Sequence, residues 1–539
     1  MKKITLLLCL FLTTTLFAQV TKLSTLSSSN FVDSKIVYED NNEDVYGYLL
    51  LFEKDKISST ETLFELILLD KNLNKVGTIS FSQEAYNTWI VKLTSCIYFA
   101  KKKDNKLFIS VGLTHASTEN LIDRIVEDKG ISGFRILNLK DFSISENYIF
   151  RDDKIQVQTE KFDTKHPMKM MKEMKNLRIG KLTTNGGFLV SNVDLISSMN
   201  ENIQENFGGA YKTKVNRQNE YYFFDLNFQK KWMYKLNPDD KSKSFSKYSY
   251  FASDDKDLVI LKRFYKKEKS SEYETTFEFL NAETGVKKFE INLLNTDYTF
   301  SLEDFQFQDN KIVFFASVYD YNEKGDIRYD KKRGYVKIVY DRTTGKELSK
   351  DYFLWSALKD KLDIDENGKV KEYGFIHFLE FKLTNDNKVI IVGEGYKPDG
   401  SSKILDLFTF VLDDKMKLLN YNKIDKFKNK IDKVDAYGRT LENIGAFDYM
   451  YSQKLPNNGF VFYYSDNEKL VSKSKKDPKW ILGIITYADG VFDYQKVPLT
   501  TKDGQIYPIR AKNGYVLLKE IPKDGKEKDS EIRLEKINY

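Results

Sequence analysis

From Phe375 to Ile424 the chain reads FIHFLEF (375–381), KLTNDNK (382–388), VIIVGE (389–394), GYKPDGSSKILDL (395–407) and FTFVLDDKMKLLNYNKI (408–424). Aromatic and β-branched residues fill the apolar runs, while Asn387-Lys388 and Asp413-Asp414-Lys415 stand between them. Such residues suit a pleated, half-buried surface, and short Asx-rich breaks are the usual tight turns between antiparallel strands. The stretch therefore predicts four strands, A to D. Tight turns join A to B and C to D, and a longer loop joins B to C.

The same Asx-Gly or Asx-Lys turn introduces an apolar run at Asn105, Asn185, Asp255, Asn310, Asn458 and Asn513, at steps of 55 to 80 residues. About 60 residues before Asn105 lies Asp44, followed by VYGYLLLF (45–52). Eight units result. Four antiparallel strands repeated four to eight times around an axis describe a β-propeller. The expected fold is all-β: one eight-bladed propeller over residues 19–539, with seven blades as the alternative. The last unit supplies strands at 506–511, 515–519 and 531–538 but no strand D. Residues 20–26 are a spare strand that would complete this blade, close the ring and remove a free edge.

LNAETG (280–285) and YDRTTGK (340–346) resemble the Asp-x-x-Thr-Gly turn of quinoprotein-type propeller blades. The resemblance implies the propeller fold. Neither turn is followed by the Trp that closes that family's repeat.

Hydrophobic residues make up 41% of the chain and charged residues 30%, enough apolar material for a core, which excludes global disorder. Lys and Arg number 85 against 79 Asp and Glu, a net charge of +6, so nucleic acid is not an expected partner. Met1-Lys2-Lys3, the apolar stretch 4–17 and Leu16-Phe17-Ala18 read as a signal peptide cleaved near Ala18. Beyond it no stretch is apolar for a membrane-spanning length. An exported chain, periplasmic or extracellular and monomeric, is expected. Cys96 then remains as a single thiol, expected to be a buried strand residue.

The long connections at 114–133, 151–176, 193–219, 319–334, 351–374, 421–445 and 465–479 are B–C loops or D–A crossovers, which share one end of the blades. Long loops on a rigid scaffold are the usual place for binding. Tyr319, Tyr321 and Trp480 lie beside the Lys/Arg-rich segments 324–333 and 469–479 and are the ligand-binding candidates. No zinc helix, nucleophile elbow, phosphate loop or Cys-x-x-Cys pair is present. His377 alternates with Phe375, Phe378 and Phe381 and reads as structural. Asp363, Asp365 and Asn367, followed by Gly368, match the first half of a calcium loop. The twelfth position is Gly374, where a bidentate Glu would be needed. Met168, Met170, Met171 and Met174 read as loop packing. Apart from calcium no cofactor is expected. The function expected is non-catalytic binding of an envelope protein or glycan through the long-loop face. The alternatives are a polysaccharide hydrolase or lyase using clustered carboxylates, and a structural subunit of an envelope assembly.

Overall fold

A computed structural model describes residues 20–40, 43–58, 61–84, 93–115, 130–159, 176–194, 220–236, 244–265, 273–293, 297–321, 327–371, 374–398, 400–431, 434, 436–455, 458–467, 480–499, 504–522 and 529–537. The signal peptide, the methionines at 168–174, His166, the basic segment 469–479 and residues 324–326 of the other basic segment lie outside them.

Eight antiparallel sheets follow one another along the chain, the blades of an eight-bladed β-propeller. They occupy 30–84, 93–157, 178–235, 245–292, 299–354, 369–431, 449–499 and 504–536 with 20–22, here blades 1 to 8. Blade 2 gains a fifth strand, Lys154–Val157, and blade 6 gains Lys369–Val370 and Asn429–Ile431 beyond its four. In blades 5 and 6 strand B is apolar almost throughout because both its faces are covered. All of Ile312–Val318 in blade 5, and all of Val389–Tyr396 in blade 6, are buried.

The packing forms two compact units, Met1–Glu84 with Leu499–Tyr539, and Ala85–Pro498. In the first, blades 1 and 8 share a core of Val45, Leu50, Phe52, Ile67, Leu517 and Leu534. The N-terminal strand does complete blade 8: Val20, Thr21 and Lys22 pair with Arg533, Ile532 and Glu531. It is shorter than its sequence suggests. Leu23–Leu26 is a single helical turn, and strand C ends at Lys536. The ladder stops where its partner strand begins, with the Leu23 amide donating to the Ser530 carbonyl. Turning there places Leu23 in the shared core.

In the second unit each blade packs on the next through aromatic rings, as where Tyr335 of blade 5 stacks on Phe378 of blade 6 at 4.0 Å. The two Asp-x-x-Thr-Gly-like turns have one geometry. Asn281 and Asp341 each accept two amide hydrogens and a threonine hydroxyl from their own turn. Gly285 and Gly345 both have φ of +69°. Trp232, from the preceding blade, lies on Gly285 and donates its indole N–H to the Ala282 carbonyl; Phe289 lies on Gly345 in the same way. An aromatic ring of the preceding blade thus covers the glycine of each turn. Cys96 is buried in its strand. Among the described residues no helix is long and apolar enough to cross a membrane.

Candidate functional site

Two irregularities in blade 5 place charged side chains at the B–C and D–A end of the second unit. Ladder registry jumps from Leu302 to Asp304 in Thr299–Gln308, so Glu303 is an extra residue. In Ile327–Asp341 it jumps again, with Lys332 opposite Tyr319 and Gly334 opposite Val318, so Arg333 is extra. A bulge re-aims side chains. Residues three apart in an unbroken strand face opposite ways, yet with Arg333 bulged Lys332 Nζ lies 2.5 Å from Tyr335 Oη and 3.9 Å from the centre of its ring. Gly334 makes this possible. Its φ is +151°, and a Cβ there would fall 2.1 Å from the Phe353 carbonyl oxygen.

Around this lysine the chain gathers five more polar groups. Glu303, with a side chain only 4% exposed, accepts hydrogen bonds from Ser317 Oγ and from Arg439 at 2.9 Å. Arg439 and Glu442 belong to the short helix Gly438–Asn443, carried by the crossover from blade 6 to blade 7. They lie on one face as an i, i+3 pair 3.5 Å apart. His377, on strand A of blade 6, places Nε2 2.8 Å from Glu442 Oε2, and its ring stacks on Phe447. The helix can approach because residue 438 is glycine: a Cβ there would sit 2.7 Å from the imidazole. Burial pushes His377 below the usual histidine range, outweighing the Glu442 hydrogen bond. The ring is therefore neutral at pH 7 and donates from Nε2 to the carboxylate. Burial also pushes the Lys332 amine down, to about 8, against the opposing pull of Glu303 and Glu442. The Tyr335 phenol is raised well above its ordinary value by burial and accepts the Phe378 amide at 2.9 Å.

Among the described residues, Glu303, His377 and Glu442 are the one group of three whose ligand atoms, within 4.8 Å of one another, could hold a metal ion. Both carboxylates are, however, engaged by the Arg439 guanidinium, which stands where such a cation would.

The model of one protein family matches residues 1–96, 147–407 and 401–538, most of the chain. This chain belongs to that family, described as a family of unknown function (DUF6770). No curated protein matches it. Among solved structures, an ulvan lyase bound to its oligosaccharide is similar at 9% identity and a TM-score of 0.34, covering 81% of this chain and 91% of that one. A second polysaccharide lyase gives 11% and 0.37 over 94% and 90%. The quinohemoprotein alcohol dehydrogenase of Comamonas testosteroni gives 10% and 0.38 over 97% and 77%. Likeness at this level says nothing of the chemistry of the DUF6770 chain.

The residues expected from sequence to act are scattered. Tyr319 is 8% exposed and stands across the ladder from Lys332, beside the cluster. Tyr321 is 36% exposed at the end of the same strand. Trp480, half-buried, opens strand C of blade 7 opposite Asn467. Asp365 Oδ1 accepts the amides of Asn367 and Lys369, both at 2.9 Å, and Asp363 is 3.8 Å from Lys371. Sequence reasoning missed Glu303, Lys332, Arg439 and Glu442. It assigned 319–334 to a long connection, whereas Ile327–Asp341 is one long strand. The available signal was Gly334, a lone glycine inside a strand pattern that marks a bulge. His377 is structural in the sense of being buried and hydrogen-bonded, but the same hydrogen bond makes it part of the cluster.

Behind the cluster the crossover is pinned by a second charged group. Lys426 Nζ, fully buried, is 2.8 Å from Glu394 Oε1 and 2.5 Å from Asp448 Oδ2. Glu394 Oε2 accepts the amides of Asp448 and Tyr449 at 3.0 and 3.2 Å, and Asn429 donates to Asp448. Both ends of the segment carrying Arg439 and Glu442 are thus fixed to one buried lysine.

Proposed function

We propose that this protein is exported and binds a glycan of the cell envelope through the end of the blades that carries the B–C and D–A connections. One observation carries the reading: Glu303, Lys332, His377, Arg439 and Glu442, contributed by two blades and a crossover helix, converge at that end. Two of them, Lys332 and His377, have their proton affinity lowered by burial, and such shifted groups gather at functional sites. Tyr437 is exposed one residue before the helix, and Tyr321 is exposed on blade 5. Such rings suit carbohydrate faces, as they present contact area at little entropic cost. Affinity electrophoresis of the mature protein against envelope polysaccharides tests the reading. Retardation should weaken in Tyr437→Ala and Arg439→Ala. Retardation by no polysaccharide, with capture of an envelope protein instead, would move the reading to a protein partner.

A second reading, cleavage of the bound polysaccharide, is favoured by the Lys332 ammonium, which could donate a proton near neutral pH, and the neutral imidazole at His377, which could accept one. Chain-length analysis after incubation separates the two, because binding alone leaves the polymer intact. Calcium at Asp363, Asp365 and Asn367 is the cation this reading would use, and calorimetry with calcium chloride tests it. Mass spectrometry of the secreted chain tests export, with a mature terminus expected at Gln19.

A further inference from the structure

The charged groups of the cluster do not pair off evenly. Glu303 is taken by Arg439 and Ser317, and Glu442 by His377 and Arg439. Lys332 contacts only the phenol and ring of Tyr335, with no carboxylate at ion-pair distance among the described residues. Its surroundings are otherwise closed. Glu303 faces it from strand A and Tyr319 from strand B of blade 5, His377 from blade 6, and Arg439 and Glu442 from the crossover helix. A lysine withdrawn from water without a counter-ion costs stability and is found where something else supplies the charge. Part of its surface remains open, and beside it the Arg439 side chain is 51% exposed. Two cations, one without an ion-pair partner among the described residues and one accessible, thus belong to the same cluster.

We infer that Lys332, with Arg439, binds an anionic oxygen group, the carboxylate or sulfate of an acidic glycan, which supplies a counter-ion that the described residues do not. Binding there is coupled to protonation. In the free protein the amine loses its proton at about 8, and an anion placed against it restores the charged form. Above that pH the ligand must bring a proton with it. The anion site rests on the glycan reading only for the identity of the polymer.

Titration calorimetry of the mature chain tests this with oligogalacturonate, a sulfated oligosaccharide and a neutral malto-oligosaccharide, in two buffers of different ionisation enthalpy. The acidic ligands should bind and the neutral one should not. Affinity should fall about tenfold per pH unit above about 8, with close to one proton taken up per ligand. Lys332→Met should lose at least about tenfold in affinity yet melt no lower than the parent, because it removes an uncompensated charge. Lys332→Arg, always charged, should keep binding but lose the proton uptake. Equal affinity for the neutral ligand, unchanged affinity in Lys332→Met, or binding without proton uptake would each overturn the inference. If no oligosaccharide of any charge binds, the glycan reading fails by itself. Inorganic sulfate then decides the anion site: uptake of a proton with sulfate upholds it, and absence of binding removes it.

Discussion

Replacing Lys426 by Met separates a buried charge that holds the fold from one that waits for a ligand. Lys426 Nζ contacts Glu394 at 2.8 Å and Asp448 at 2.5 Å, and the Lys426 and Glu394 side chains are fully buried. At an effective dielectric constant of about 20, each contact is worth about 6 kcal/mol of Coulomb attraction. Most of that offsets the desolvation of three charged groups. What the substitution removes is the compensation, and breaking a buried pair from one side costs about 3 to 5 kcal/mol. The loss depends on pH. Burial already raises Glu394 to about 7, with Lys426 opposing the rise, and raises Asp448 as well. Without the lysine both carboxyls move further above their unfolded values. The folded variant therefore binds protons that the unfolded chain does not, and its stability falls as pH rises through those raised values. Urea unfolding followed by fluorescence should show the full loss at about pH 8, shrinking to about 1 kcal/mol near pH 5 as both carboxyls take protons. Amide exchange in the helix Gly438–Asn443 should accelerate, since both ends of its crossover are released. A loss below about 1 kcal/mol at pH 8, or one equal at both pH values, would refute the reasoning.

Further outcomes are expected elsewhere. Gly345→Ala combines a φ of +69° with a Cβ 2.4 Å from the Phe289 ring, and should cost on the order of 1–3 kcal/mol in denaturant unfolding. Gly334→Ala should cost a similar ~1–3 kcal/mol and also weaken acidic-ligand binding, because the bulge that aims Lys332 depends on it. Removing residues 20–26 should raise amide exchange over Glu531–Arg533, whose outer edge then loses its partner, while leaving exchange in blade 5 unchanged. His377, held below its unfolded value of 6.5, contributes stability that is present above that pH and is lost as pH falls through its lowered value. Glu442→Gln removes the carboxylate that opposes this lowering, so acid unfolding monitored by circular dichroism should show a deeper loss of stability below about pH 6.

The fold was legible because its instructions are local and repeated. Asn387 and Asn458 both adopt φ of +61°, the conformation that Asx residues tolerate, and each sits where the repeated turn was read. The apolar run at 389–394 needed no partner to be recognised as a strand. The last blade, lacking its fourth strand, pointed to residues 20–26, of which 20–22 form the strand, because a missing strand is a count, and a count can be made on sequence. That Leu23 then turns inward was not legible, since it depends on where Ser530 falls across the ladder.

The candidate site was decided in space. Glu303, Lys332, His377 and Arg439 are separated by up to 136 positions, and nothing in their spacing links them. Two one-residue bulges aim Glu303 and Lys332, and a glycine at 438 lets a helix rest on His377. Bulges and close approaches are properties of paired backbones, and a single strand read alone does not contain its partner. Sequence by itself determined the repeating blade, its turns and the end at which the long connections gather. Only the tertiary structure decided which carboxylates meet which cations, and that Lys332 meets none among the described residues, because charge balance in a low-dielectric interior depends on distance across segments that fold together from far apart.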